Sequence, residues 1–93
     1  MNRLSAERLR ALRNDIPIEA VIRKLGVPAK EVEGYFRFLC PLCSEFHTAT
    51  NPRTNLGRCF RCRENYNPID LVMAVEKVSF LDAVSLLERM LKG

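Results

Sequence analysis

Ninety-three residues, 47% of them hydrophobic, suffice for one folded domain and argue against disorder, and the apolar runs are too short for a bilayer-spanning helix. The opening MNRLSAERLRALRND is charged throughout and lacks the apolar centre of a secretory signal. The reading is therefore a cytoplasmic protein with no membrane partner, in which four cysteines stay reduced and serve a metal rather than a disulfide framework.

In chain order, Leu4 to Arg13 reads as a short helix with Leu4, Leu9 and Leu12 on a sparse apolar stripe. A second helix starts near Asp15–Pro17, where Pro suits the first turn and Glu19 the N-terminal dipole. Ile18, Val21, Ile22 and Leu25 carry it until Gly26 and Pro28 stop it. The β-branched and aromatic residues from Val32 to Leu39 predict a strand leading into the first cysteine pair. Tyr35 and Phe36 fall on its opposite faces, so one of them is buried. Thr48–Pro52 and Gly57–Phe60 pair around a turn at Arg53–Leu56, which returns the second cysteine pair to the first. Asn67-Pro68-Ile69-Asp70 has the cap, proline and acid of a helix start, and Ser79-Phe80-Leu81-Asp82 has the spacing of another. Phe80, Ala83, Val84, Leu87 and Leu91 form the apolar stripe of the last helix. The fold class is α+β: with the spacings Cys40-x₂-Cys43 and Cys59-x₂-Cys62 inside it, the sheet at about 32–66 reads as a small zinc ribbon between helices at about 4–25 and 68–91, in one domain over 1–93.

The cysteines stand as C-x₂-C-x₁₅-C-x₂-C, at Cys40, Cys43, Cys59 and Cys62. Two intervening residues let a tight knuckle aim both sulfurs at one ion, and the longer gap is a hairpin that delivers a second knuckle opposite. Four soft thiolates suit one structural Zn²⁺; iron in a rubredoxin-like centre uses the same ligands. Glycine usually follows such knuckles, where this chain has Ser44 and Arg63. His47 is read as a residue beside a complete ligand set rather than a ligand. A closed tetrahedral site has no open position for substrate, which makes it structural. Binding zinc as four thiolates lowers the formal charge of +4 to about +2. That charge is uneven. Arg37, Arg53, Arg58, Arg61 and Arg63 face a single acid, Glu45, within residues 37–63, and residues 64–93 are net acidic.

The order of landmarks resembles the CHC2-type zinc-binding domain of bacterial and phage DNA primases. The resemblance begins at Ile18-Glu19-Ala20-Val21-Ile22 and runs through Tyr35, Leu39-Cys40-Pro41 and Cys59-Phe60-x-Cys62. It reaches Ile69-Asp70-Leu71-Val72-Met73, Glu76 and Ser79-Phe80-Leu81-Asp82-Ala83-Val84. Three departures stand out. Cys43 occupies the second ligand position, where the family has His. Thr48-Ala49-Thr50-Asn51 faintly echoes the family's Thr-Pro-Ser-Phe. Arg63 to Pro68 replaces a glycine-rich stretch. The resemblance implies a module that engages single-stranded template DNA during primer synthesis, alongside a separate polymerase domain or a replicative helicase. The polymerase domain, with its carboxylates and Mg²⁺, is not in these residues, so no catalysis is expected of them; a stand-alone protein and an excised module both remain open.

Single strands are held by cations on phosphates and rings under bases. The candidates are Arg37, Arg53, Arg58 and Arg61 for phosphates, with Phe38, Phe60 and Tyr66 as stacking rings. The alternative is a protein–protein interaction module, for which Leu81, Leu86 and Met90 lie off the main apolar stripe of the last helix.

Overall fold

The computed structural model describes residues 5–92. Side-chain caps set most helix starts. The Ser5 hydroxyl accepts from the Arg8 amide (3.1 Å) and opens α1 (Ala6–Asn14), leaving Leu4 of the expected helix outside the described residues. Proline at position 17 precedes α2 (Ile18–Lys24). Asn67 and Asp70 form a reciprocal capping box for α3 (Pro68–Glu76), and Lys77 ends that helix in the left-handed conformation (φ 56°). The Ser79 hydroxyl accepts from the Asp82 amide (3.2 Å) at the start of α4 (Phe80–Lys92). The capping signals read from the sequence are thus made as hydrogen bonds.

The strands form two small antiparallel sheets, β1–β2 and β3–β4–β5. The first corrects an expectation. Val32 to Leu39 is not one strand: β1 (Ala29–Val32) and β2 (Tyr35–Phe38) are joined by Glu33-Gly34, both at positive φ (52° and 82°). Two left-handed residues in a two-residue loop match the twist of a tight hairpin, and Gly34 adopts its φ without a side-chain penalty. In the second sheet β3 (Thr48–Asn51) pairs with β4 (Leu56–Cys59) in the register Thr48 opposite Cys59, as the spacing implied. A third strand, β5 (Glu64–Tyr66), completes it.

Thr48 ties the sheets together. Fully buried, its Oγ1 accepts from the Phe38 amide (2.8 Å) and donates to the Phe38 carbonyl, so one side chain substitutes for a ladder between β2 and β3. Phe38, also fully buried, lies against Gly57: a Cβ there would sit 2.9 Å from the Phe38 ring, so glycine is needed for close approach. A second polar link comes from the turn between β3 and β4. The buried Asn55 accepts from the Ile18 amide at Oδ1 (2.8 Å), and its Nδ2 donates to the carbonyls of Arg13 and Ile16 (2.6 and 2.8 Å). One amide therefore caps the end of α1 and the start of α2.

The helices share an apolar core of Leu12, Ile18, Val21, Ile22, Leu71, Val72, Ala83 and Leu87, each at most 1% exposed. Phe36 and Phe38 from β2 join it. On the surface, Arg8 of α1 pairs with Glu88 of α4. Among the described residues no helix is long and apolar enough to cross a membrane.

Candidate metal centre and nucleic-acid interface

Each cysteine pair sits at a strand end followed by a tight turn, and the two turns are built alike. Ser44 N donates to Cys40 O (2.9 Å), and Arg63 N donates to Cys59 O (2.8 Å). Ser44 and Arg63 are both left-handed (φ 59° and 60°), which explains why glycine suits this position. Within the turns, the Leu42 amide donates to Cys40 Sγ and the Cys62 amide to Cys59 Sγ, both at 3.4 Å. The knuckles thus supply backbone donors to sulfur as well as aiming it.

All four sulfurs lie within 4.8 Å of one another. Cys40 and Cys62 are 3.8 Å apart, Cys43 and Cys59 3.7 Å. A tetrahedron with zinc–sulfur bonds of about 2.3 Å has edges of about 3.8 Å, so the donor set fits Zn²⁺ in size as well as in chemistry. Cys40 and Cys59 are fully buried, whereas Cys43 and Cys62 are half-buried. His47 is exposed and outside the cluster; its carbonyl accepts from the Phe60 amide (2.8 Å).

The four sulfurs sit in electrostatically unequal surroundings. Burial pushes the Cys40 thiol up, but hydrogen bonds from the Tyr66 hydroxyl and from the backbone at Cys43 and Leu42 outweigh it and bring it down to about 7. Cys62 is pushed up to about 12 by burial and by the neighbouring sulfurs, and Cys43 is also raised, burial again the largest cause. A set that holds on to its protons in this way needs a cation before all its members can be thiolates together.

Tyr66 enters this site in a role the sequence did not disclose. It is 4% exposed, its hydroxyl lies 3.5 Å from Cys40 Sγ, and its ring meets Phe38 edge-on at 6.4 Å. Burial, followed by the hydrogen bond to Cys40, raises its pKa, so the hydroxyl keeps its proton. Neither Tyr66 nor Phe38 offers a ring face to solvent, and both are withdrawn as stacking platforms, because the cores of ribbon and helices need them inside. Tyr35, by contrast, lies outside. It and Phe60 are each 57% exposed. The alternation of β2 carried the signal for both corrections: with Phe36 inside, Phe38 is inside and Tyr35 outside.

Both of these rings have an arginine beside them. The Arg37 guanidinium is 5.9 Å from the Tyr35 ring centre and donates to the Thr48 carbonyl (3.2 Å). The Arg58 guanidinium is 5.9 Å from the Phe60 ring centre and donates to Asn65 Oδ1 (3.1 Å). Arg58 stands between Ala49 and Asn65 across the three-stranded sheet. Lys30, opposite Arg37 in the first sheet, lies 4.5 Å from the Phe46 ring centre. Arg61, on the second knuckle, is exposed, with Glu45 3.9 Å away. Arg53 is exposed in the turn after β3, its amide bound to Asn51 Oδ1 (3.0 Å). The ribbon therefore brings Arg37 and Arg58 beside rings, and places Arg61 and Arg53 on a knuckle and a turn.

Comparison with known proteins agrees with this geometry. A family model described as a CHC2 zinc finger matches residues 4–92. A protein of Streptomyces coelicolor named DNA primase is 29% identical over 84 residues, covering 88% of this chain and 13% of its own length. With the family match spanning nearly the whole chain and the four-sulfur cluster in a small ribbon, the chain belongs to the CHC2 zinc-finger family of DNA primases.

Proposed function

We propose that this chain is a zinc-loaded, single-stranded DNA-binding module that serves primer synthesis and catalyses no reaction itself. Cys40, Cys43, Cys59 and Cys62 ligate one Zn²⁺, whose chemical contribution is a rigid cross-link between the knuckles. The observation that carries the DNA reading is the pairing of exposed rings with arginines, Tyr35 with Arg37 and Phe60 with Arg58, on the ribbon surface. Stacking on rings is tolerant of sequence and cations track the backbone, which is what a template-engaging module requires. The same arginines keep their hydrogen bonds to Thr48 and Asn65, so they are held in place before any strand arrives. Polymerisation belongs to a separate domain, and this module works beside it, or beside a replicative helicase, in the cytoplasm; the naming of the Streptomyces relative as a DNA primase supports that assignment. Low net charge makes isolated binding weak, and tethering to the polymerase raises the effective concentration.

A salt-dependent anisotropy titration of zinc-loaded protein against single-stranded DNA, duplex DNA and RNA tests this. Affinity for single strands should fall as salt rises, with a slope of about −0.7 per phosphate neutralised. Replacing Arg58 and Arg61 together by Ala should flatten the slope without releasing zinc, and Arg10→Ala, on the exposed face of α1, should not. Phe60→Ala should cost about 1–3 kcal/mol of binding if a base stacks there. Salt-independent or absent binding would move the assignment to a protein-interaction module. Leu81 at 66% exposure favours that second reading, although Leu86 and Met90, the other residues it invoked, are half-buried.

A further inference from the structure

A buried hydroxyl requires a partner, and a buried tyrosine that needed only its ring would be better served by phenylalanine. Among the described residues the only group within hydrogen-bonding distance of the Tyr66 hydroxyl is Cys40 Sγ. The ring is held on both sides of this contact: Phe38 meets it edge-on, and Gly57, opposite Tyr66 in the β4–β5 register, is itself pinned against Phe38. The hydroxyl is thus aimed at the sulfur by the core rather than by chance rotation.

The sulfur it reaches is a distinctive one. A Zn²⁺ held by four thiolates carries a net charge of about −2, and Cys40 is one of the two fully buried members of the set. Both buried sulfurs also receive a backbone amide, Cys40 Sγ from Leu42 and Cys59 Sγ from Cys62. Among the described residues, only Cys40 of the two has a side-chain hydroxyl among its donors as well, and that hydroxyl belongs to Tyr66. Once Cys40 is a thiolate, only the hydroxyl can donate in this pair.

We infer that Tyr66 is a positioning residue of the metal centre, its hydroxyl donating to the Cys40 thiolate and drawing off part of the negative charge of a four-cysteine site. The inference rests on the four cysteines holding the metal. Its consequence is a less electron-rich Cys40 sulfur and an uneven site. Cys43 and Cys62, half-buried and without a tyrosine donor, become the edge at which metal exchange opens.

The test uses the full chain loaded with Co²⁺, whose sulfur-to-metal charge-transfer absorption reports electron density on the thiolates, and a chelator competition with Zn²⁺. Tyr66→Phe keeps the ring and should keep one metal per chain. Its charge-transfer band should move to lower energy, and its zinc affinity should fall by about tenfold, a typical loss when a hydrogen-bond partner of a ligand is removed. Tyr35→Phe, which removes an exposed hydroxyl, should change neither. Fluorotyrosine at position 66, introduced in the Tyr35→Phe background, is a stronger donor and should move the band the opposite way, a readout that lost packing cannot produce. An unmoved band and unchanged affinity in Tyr66→Phe, or no opposite shift with fluorotyrosine, overturns the inference alone. Wild-type protein that takes up cobalt without a thiolate band overturns the four-cysteine reading, and this inference with it.

Discussion

The helical layer and the ribbon reach stability by different means. Around α1 to α4 the interior is aliphatic, with Leu12, Ile22, Leu71 and Leu87 excluded from water by one another. Around the knuckles the buried side chains are Cys40, Cys59, Thr48 and Tyr66, each carrying a polar or polarisable atom. Apolar burial is favourable without a ligand. A cluster of four sulfurs is not, because desolvated thiolates repel until a cation joins them. The comparison teaches that the zinc contributes chiefly to the strands that present Arg58 and Phe60, while the helices form the platform beneath them.

Metal removal is the harshest test of that contrast. On chelation, or in Cys59→Ser, amide hydrogen exchange in β3 to β5 should approach the unfolded rate while α2, α3 and α4 retain more of their protection. Ribbon amides that stay as protected as helical ones would erase the distinction. Next in size, Leu87→Ala leaves a cavity in the aliphatic layer and should lower unfolding free energy by about 3 kcal/mol with metal stoichiometry unchanged. Asn55→Ala should cost about 2 kcal/mol, since it strands the Ile18 amide and two carbonyls at the junction of the two regions. Denaturant melts of zinc-loaded protein would read both, and an Asn55→Ala cost below the scatter of surface mutants would show the regions to be uncoupled there. The smallest effect has the opposite sign. Ser44→Gly relieves a left-handed serine and should stabilise the loaded ribbon by about 0.5–1 kcal/mol after the added unfolded-state freedom is deducted. Loss of stability in that variant would mean that the knuckle conformation is imposed by something other than its φ.

Cysteine spacing, helix caps and apolar stripes were legible because each depends on residues a few positions apart. Asn67 and Asp70 find one another across a single turn, and two Cys-x₂-Cys pairs at this spacing each fold into a knuckle from local residues alone. The hairpin at Glu33-Gly34 was missed because β1 has Lys30 and Glu31 exposed and carries no apolar alternation to announce a strand. Strand β5 hid for the same reason, with Glu64 and Asn65 exposed. The basic cluster was legible as composition. Alternation sets Tyr35 against Phe36 and Phe38, but which of the two faces turns inward was not legible: that depends on Phe38 filling the space above Gly57, as the burial of Tyr66 depends on its reaching Cys40, contacts made between distant parts of the chain.

Asn55 has a consequence in time as well as in energy. Its three bonds span sequence separations of 37 to 42 residues, so α1 and α2 are translated well before the amide that joins them exists. On a ribosome adding roughly 5–20 residues per second, the first two helices wait for several seconds with an unsealed junction. Short helices of nine and seven residues are marginal in isolation, so they are expected to fray until the β3–β4 turn emerges and closes on them. Synthesis order and assembly order thus differ here: α1 and α2 are made before the turn that secures them exists.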